Sequence, residues 1–351
     1  MPLTFNSLPQ IYAAPFDTVI DVRSPAEYAE DHIPGAISLP ALSNDQRAVV
    51  GTIYTQEAPF KARKIGAAMV ARNAAAHIDG PLAAKSGAWQ PLVYCWRGGQ
   101  RSGSFASILK QIGWRAETIE GGYRSYRRLV VGMVHDTPLP HQLVVLDGNT
   151  GTAKTELLGL LAQRGVQIVD LEGLAAHRGS LFGAIDRPQP AQKAFESALA
   201  QAFTGLDPAR PVVVEAESSK VGNLLVPSAI WSAMRAAPRL RLTAPLSARA
   251  RYLVRAYADL IADKSALQDT LAKLIPFQGH DQVIAWQTLA ETGDFETLAA
   301  ELMGKHYDSR YAKSREGKSE ETLAEIPLDT MNPADLERAA DTIRNRLPRQ
   351  G

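Results

Sequence analysis

Short apolar runs alternate with amphipathic stretches along the first part of the chain. The runs TVIDVR, QPLVYC and AETIEGG predict strands that end in turns. The stretches SPAEYAEDHI, PFKARKIGAAMVARNAAAHIDG and SFASILKQIG predict helices, and the first of them has Ser24 as N-cap, Pro25 at the first helical position and Glu27 three residues after the cap. Strands that alternate with helices indicate an α/β domain with a parallel sheet.

The same alternation resumes after a basic connecting segment, residues 123–140. HQLVVLDG, VQIVDLEG, PVVVEAES and RLRLTAP predict strands, while TELLGLLAQRG, QKAFESALAQAFTG and SARARYLVRAYADLIAD predict helices. From about Ser265 the pattern is helical, and the tail ends with a short strand and an amphipathic helix. We therefore predict an α/β fold with a parallel-sheet domain at residues 1–135 and a second α/β domain at residues 136–351 that has a helical C-terminal region.

Composition narrows the class of protein only a little. The 351 residues carry a formal net charge of +1, so a nucleic-acid partner is not indicated by overall charge. A single cysteine excludes an intrachain disulfide and fits a reducing compartment. The first residues resemble no signal peptide, and no apolar run of about 20 residues is present, so we expect a cytoplasmic protein with no membrane partner.

That cysteine, Cys95, stands in the segment YCWRGGQRS between a predicted strand and a predicted helix. Ligands bind at this end of a parallel strand in α/β folds, where backbone N–H groups and the helix dipole favour an anion. Arg97 and Arg101 add positive charge, and Gly98 and Gly99 allow close backbone approach. We expect the loop to favour a thiolate at Cys95 and to bind an anion such as phosphate or selenophosphate.

The stretches DVRSPAEYAEDHIPGAISLP, YCWRGGQRS and IEGGYRSY together resemble the rhodanese domain, whose loop cysteine carries sulfur as a persulfide. Five residues separate Cys95 from Arg101, one more than in common sulfurtransferase loops. This spacing is also that of protein tyrosine phosphatases, including a branch on the rhodanese fold. Loop length therefore leaves chalcogen transfer and phosphomonoester hydrolysis both open.

A second candidate site is the segment DGNTGTAKTELL, which follows an apolar strand and opens a helix. Gly148, Lys154 and Thr155 match the P-loop pattern, Gly151 adds a flexible point, and Ala153 replaces the second glycine. Such a loop wraps a diphosphate with backbone N–H groups, and its lysine neutralises the charge. We expect a P-loop NTPase-like domain, although the methyl group of Ala153 puts ordinary nucleotide turnover in doubt.

A magnesium ion at such a site needs a nearby hydroxyl and an acid at a strand end. Thr155 supplies the hydroxyl, and Asp170 and Glu215 are the first candidates for the acid, with Glu172 and Glu217 close by in sequence. Arg251 and Arg255 lie four residues apart on one predicted helix, with Arg249 nearby, and are candidates to close over phosphates.

The order of the two domains, with CWRGGQRS, GYRSYRR, GNTGTAKTELL, DLEGLAAHRGSLFG, QKAFESAL and KHYDSRY, closely resembles the tRNA 2-selenouridine synthase family. The resemblance implies a selenotransferase that replaces the sulfur of wobble 2-thiouridine in tRNA by selenium from selenophosphate. It also implies attachment of a geranyl group from geranyl diphosphate, with S-geranyl-2-thiouridine as the intermediate. The family's essential loop cysteine corresponds to Cys95, which would accept or position selenium.

We expect the P-loop to hold the diphosphate of the geranyl donor; ATP or a tRNA phosphate are the alternatives for this loop. Basic and aromatic residues are the candidates for tRNA binding. They are Arg124, Arg127, Arg128, His177, Arg178, Tyr307 and Arg310. The competing hypotheses are a rhodanese-fold phosphatase, a P-loop kinase with a rhodanese module, and a tRNA-binding scaffold without catalysis.

Overall fold

A computed structural model describes residues 1–309 and 321–348 of the chain. The chain divides into two compact units. The first contains Met1–Thr137 together with Pro190–Gly205, and the second contains Pro138–Gln189 and Leu206–Gly351. Each unit has its own parallel sheet, which confirms the predicted α/β class.

The first unit is built on a parallel sheet of order β2-β1-β3-β4. Its strands are β1 (Thr18–Asp21), β2 (Ile37–Ser38), β3 (Pro91–Tyr94) and β4 (Glu117–Thr118). Its helices are α1 (Leu8–Tyr12), α2 (Pro25–Glu30), α3 (Asn44–Gln56), α4 (Pro59–Asp79), α5 (Gln100–Ile112), α6 (Gly122–Val131), the π-helical turn Gly132–Asp136, and α9 (Gln192–Thr204).

Local sequence explains most of these boundaries. Helix α2 begins with the predicted capping box, in which Ser24 and Glu27 satisfy each other's backbone N–H groups. Helix α5 ends at Gly113 in the left-handed region, as glycine after a helix allows. One prediction is wrong: the connecting segment at 123–140 begins as helix α6, because Tyr123, Tyr126 and Val130 form one apolar face that is buried.

Helix α9 belongs to the first unit although the residues on both sides of it belong to the second. Phe195, Leu199 and Phe203 are fully buried on its inner face. Glu196 forms an ion pair with Arg127 of α6. The hydroxyl of Ser197 donates to Asp31 at 3.0 Å, and the same carboxylate oxygen accepts from Tyr123 at 2.7 Å. Burial raises the pKa of Asp31, against the two hydroxyl donors that lower it.

The second unit has a parallel sheet of order β11-β10-β5-β7-β6, with the wholly buried strand β5 at its centre. Its strands are β5 (Leu143–Gly148), β6 (Gln167–Val169), β7 (Val212–Glu215), β10 (Arg239–Thr243) and β11 (Thr322–Pro327), with a hairpin of β8 (Lys220–Val221) and β9 (Leu224–Leu225). Its helices are α7 (Lys154–Gln163), α8 (Leu171–Ala175), α10 (Ser228–Ala236), α11 (Leu246–Ala256), α12 (Ala258–Ala262), α13 (Lys264–Ala272), α14 (Ile275–Gln278), α15 (His280–Thr292), α16 (Phe295–Leu302) and α17 (Pro333–Arg346), with the π-helical turn Met303–Tyr307.

Helices α12 to α16 confirm the predicted helical C-terminal region and bury a cluster of their own around Trp286. The predicted final strand and helix are β11 and α17, which return to the main sheet and its core. Within the described ranges, no helix has the length and apolar character that a membrane span requires.

We predict that Glu196→Ala loosens helix α9, because it leaves the guanidinium of Arg127 partly buried without its carboxylate. Removing one partner of a buried ion pair costs about 3 kcal/mol. Hydrogen–deuterium exchange of residues 192–204 should then become faster. Glu30→Ala is the matched control, because it breaks the exposed ion pair with Lys193 on the same helix. Equal exchange rates in the two variants would contradict the prediction.

Candidate functional site

Cys95 lies directly after β3, at the carboxyl end of a strand that has parallel neighbours on both sides. Its side chain is only 3 % exposed and packs in the apolar cluster that contains Val93 and Phe105. The Cys95 sulfur lies 3.1 Å from the hydroxyl oxygen of Ser102, on the first turn of α5. The sulfur is therefore buried next to the first turn of α5, in contact with the apolar cluster.

Two glycines, Gly98 and Gly122, let the cysteine loop pack closely against the segment IEGGY. Gly98 has φ +65°, and Gly122 has φ +56°. The N–H of Tyr123 donates to the Cys95 carbonyl at 2.8 Å, and that of Arg124 donates to the Trp96 carbonyl at 3.1 Å. A Cβ atom on Gly122 would overlap with the Cys95 carbonyl oxygen. The segment IEGGY therefore fixes the shape of the cysteine loop.

The two arginines of the loop differ in their surroundings. Arg97 is exposed. Arg101 instead donates to Glu27 at 2.9 Å, so a carboxylate already balances its charge. Burial opposes ionisation of Glu27, but the hydrogen bond and charge of Arg101 outweigh it and lower the pKa of Glu27 to about 2. Anion binding by Arg97, Gly98, Gly99 and Arg101 remains a prediction; for Arg101 it requires exchange of Glu27 for the anion.

The predicted P-loop joins β5 to α7. Gly151 has φ +82°, and Ala153 has φ +58° although it is not a glycine. Lys154 donates to the Gly148 carbonyl at 3.1 Å, so its ammonium group folds back over the loop. The hydroxyl of Thr155 donates to Glu172 at 2.8 Å. The loop geometry is therefore compatible with the phosphate cradle that the sequence predicts, and Ala153 adopts the left-handed conformation itself.

An arginine from helix α11 secures the loop, but it is Arg249 and neither Arg251 nor Arg255. Arg249 donates to the Thr150 carbonyl at 3.1 Å and pairs with Asp308 at 2.8 Å. Asp308 also accepts from the Asn149 side chain at 3.1 Å. Arg251 is exposed, and Arg255 donates to the carbonyl of Met331. The motif KHYDSRY thus supplies a carboxylate that ties α11 to the P-loop.

Of the four acids that the sequence places near the P-loop, one lines its pocket. Glu215 is fully buried and accepts from the Glu172 N–H at 2.8 Å, and burial raises its pKa well above the ordinary value. Asp170 caps α8 through the Gly173 N–H. Burial, then the charge of Glu172, raises the pKa of Glu217 to about 8, although Lys154 lowers it. Glu172 lines the pocket.

These positions bear on the predicted magnesium ligands. Thr155 lines the pocket, whereas Asp170 and Glu215 do not line it and accept backbone N–H groups of α8. Within residues 1–309 and 321–348, no group of three or more His, Cys, Asp or Glu side chains is arranged to hold a metal ion. Thr155 and Glu172 therefore fit a magnesium ion only as two of its ligands, and oxygens of a bound diphosphate would supply most of the others.

The pocket in front of the P-loop has a volume of about 410 Å³ and includes Lys154, Thr155, His177 and Arg178. Burial lowers the pKa of His177, whose Nδ1 accepts from the Gly179 N–H at 3.1 Å. Arg178 pairs with Asp259 at 2.8 Å and lies over the ring of Tyr257. Two residues predicted to bind tRNA therefore lie in the same pocket as the predicted diphosphate loop.

An apolar cavity of about 80 Å³ adjoins this pocket in the same unit. The two cavities share Thr150, Ser180, Leu253 and Tyr257. Side chains of α11, α12, α13 and α16 form most of the apolar wall together with Phe182, and Tyr307 lies there too. A polar phosphate site thus continues into a hydrocarbon-lined recess.

The remaining tRNA-binding candidates occupy several places. Arg124 and Arg128 are exposed on α6, while Arg127 is paired with Glu196. Arg310 lies outside the described residues. Ser102, Asp308 and Tyr257 are site residues that the sequence patterns do not predict. Ser102 stood inside the quoted loop, and Asp308 inside KHYDSRY, so the motifs carried the signal, but only the fold shows what each side chain contacts.

Comparisons with known proteins agree with both motifs. A rhodanese-like domain model matches residues 6–129, and a model described as the tRNA 2-selenouridine synthase AAA domain matches residues 141–279. The chain is 34 % identical to the tRNA 2-selenouridine synthase of Nitrosomonas eutropha, over 66 % of this chain and 60 % of that protein. It is 30 % identical to the tRNA 2-selenouridine synthase of Shewanella loihica, over 84 % of this chain and 86 % of that protein.

We predict that Gly122→Ala destabilises the first unit by at least about 3 kcal/mol, because a Cβ atom there meets the backbone of the cysteine loop. Gly35→Ala is the matched control: its φ is +81°, but nothing lies within 4 Å of the added atom. It should cost about 1 kcal/mol from backbone strain alone. Thermal unfolding checks the difference, and equal losses would show that the contact is unimportant.

We predict that Glu217 makes the second unit less stable as pH rises. The folded state keeps a proton on Glu217 up to about pH 8, whereas the unfolded chain loses it near the ordinary glutamate pKa of 4.5. The free energy of unfolding therefore falls with rising pH across that window. Glu217→Gln should flatten this fall, measured as the thermal midpoint against pH. Glu291→Gln, at an exposed site, should leave it unchanged; a wild-type slope in Glu217→Gln would contradict the assignment.

Proposed function

The chain belongs to the tRNA 2-selenouridine synthase family, and from this premise we propose that it replaces the sulfur of wobble 2-thiouridine in tRNA by selenium. We further propose that selenophosphate is the selenium donor and that geranyl diphosphate first alkylates the sulfur. The wobble base of tRNA, selenophosphate and geranyl diphosphate are then its substrates, and the reactions take place in the cytoplasm.

The observation that carries the geranyl step is the junction of the two cavities in the second unit. A diphosphate needs N–H donors and a cation, which the loop from Gly148 to Thr155 and Lys154 supply. A ten-carbon chain needs an apolar wall, which Leu253, Leu298 and Tyr257 supply in the adjoining cavity. An apolar recess suits a hydrocarbon chain better than a polar ribose, so the cavity favours a prenyl diphosphate over ATP.

In the proposed first step, the sulfur of 2-thiouridine attacks C1 of the geranyl group. The new S–C bond forms as the C1–O bond breaks, pyrophosphate leaves, and N3 of the base loses its proton. Lys154 stabilises the negative charge that grows on the leaving pyrophosphate. Magnesium, when bound by Thr155, Glu172 and the diphosphate, would supply further charge neutralisation. Arg178 is held by Asp259 and Tyr257 at the rim of the same pocket.

In the proposed second step, selenium becomes bonded to C2 of the base and the C2–S bond breaks. Geranyl thiol leaves with a proton, and water takes the phosphoryl group of selenophosphate as inorganic phosphate. We propose that Cys95 accepts or positions the selenium of the donor. The loop around it offers backbone N–H groups, the amino end of α5 and the exposed Arg97, all of which favour an anion.

For tRNA we propose contacts from exposed basic residues of α6, because they lie beside the cysteine loop in the first unit. Arg124 and Arg128 are both exposed, and the N–H of Arg124 already bonds to the loop at Trp96. Phosphate contacts of this kind position the nucleic acid and weaken with salt.

We predict that substitutions in the two loops impair different reactions. Lys154→Ala should lower the geranylation rate about 100-fold, since it removes charge from the leaving pyrophosphate. Cys95→Ser should keep geranylation and lose selenation, so S-geranyl-2-thiouridine accumulates. Mass spectrometry of nucleosides from 2-thiouridine tRNA treated with each substrate measures both products.

Lys264→Ala changes an exposed lysine of the same unit and serves as the matched control. Unchanged geranylation in Lys154→Ala would remove the P-loop from the proposal. Unchanged selenation in Cys95→Ser would remove the cysteine loop from it.

A further inference from the structure

The hydroxyl of Ser102 has two acceptors within reach and only one proton. Ser102 is fully buried on the first turn of α5. Its oxygen lies 3.1 Å from the Cys95 sulfur and 3.3 Å from the Gly99 carbonyl oxygen. A thiol is a weak acceptor, whereas a thiolate is a strong one. The direction of the serine O–H bond therefore depends on whether the sulfur carries its proton.

We propose that Ser102 is a positioning residue for Cys95. It donates to the Gly99 carbonyl while the sulfur is a thiol, and it turns to donate to the sulfur once the thiolate forms. This inference rests on the proposed function only in assuming that Cys95 works as a thiolate. It adds a side-chain donor to a loop whose anion affinity otherwise comes from backbone N–H groups, the amino end of α5 and the exposed Arg97.

The side chains around the sulfur are mostly apolar, so the Ser102 hydroxyl is its side-chain hydrogen-bond donor. Among the described residues, Ser102 is the one side chain that forms a polar contact with the Cys95 sulfur. The packing around it is apolar and includes Val93, Phe105 and Ala106. A charge in apolar surroundings depends strongly on donors that lie directly on it, so the loss of one hydroxyl should disfavour the thiolate measurably.

Charged and titratable groups on the neighbouring elements are already engaged or exposed. After β1, Asp21 and Arg23 pair with each other. On α2, Glu27 holds Arg101 of α5. His77 of α4 contacts the Pro40 carbonyl and the ring of Phe105. Arg97 and Arg124 are exposed. Among the described residues, none of these groups bonds to the Ser102 hydroxyl, so we expect its removal to change one donor and to leave their own contacts intact.

The single cysteine of the chain makes the test direct, because a thiol reagent reports on Cys95 alone. The rate of alkylation by iodoacetamide is measured against pH. The plateau rate at high pH reports access to the sulfur, and the pH of half-maximal rate reports formation of the thiolate. We expect Ser102→Ala to move that half-maximal pH upward by about one unit, which leaves roughly tenfold less thiolate at a given lower pH.

Two further variants make the result specific. Ser102→Thr keeps a hydroxyl and should stay close to the wild-type profile. Ser104→Ala removes an exposed hydroxyl from the same helix and should not move it. A Ser102→Ala profile that coincides with wild type, in protein whose circular dichroism shows it to be folded, overturns the inference. A shifted profile supports it even if Cys95→Ser still selenates tRNA, so this result stands or falls separately from the proposed function.

Discussion

A parallel strand can reach its next neighbour only through a crossover, and this constraint places both candidate loops. Strand β3 lies between β1 and β4, and β5 lies between β10 and β7. Each therefore ends inside its sheet, with a loop that must turn towards a helix. Cys95 follows the first of these strands, and Gly148 ends the second. Each unit thus gathers backbone N–H groups at the point where its motif residues lie.

Salt bridges within each unit change how the arginines of the two loops should be understood. The sequence shows only that guanidinium groups stand near each motif. In the structure Arg101 is held by Glu27, Arg178 by Asp259, and Arg249 by Asp308. Their charge is balanced internally, so these side chains chiefly fix loop shape. Binding of an anion must rely more on backbone N–H groups and on Lys154.

The sequence was sufficient for the fold class and both loops, because capping residues, apolar periodicity and loop motifs are local signals. It was insufficient for α6, whose arginines and tyrosines suggested a connecting segment until the buried face was visible. It was also insufficient for the choice of Arg249 over Arg251, since the partner, Asp308, lies 59 residues away in the chain. Contacts of that range depend on the fold, and no spacing rule within one helix encodes them.

The position of α9 in the sequence has a consequence for how the chain folds during synthesis. The polypeptide passes from one unit to the other at residues 137–138, 189–190 and 205–206. No single break in the chain yields two intact halves, because a fragment that stops at residue 137 leaves the α9-facing sides of Tyr126 and Asp31 bare. A ribosome must translate past residue 205 before the first unit can complete its core.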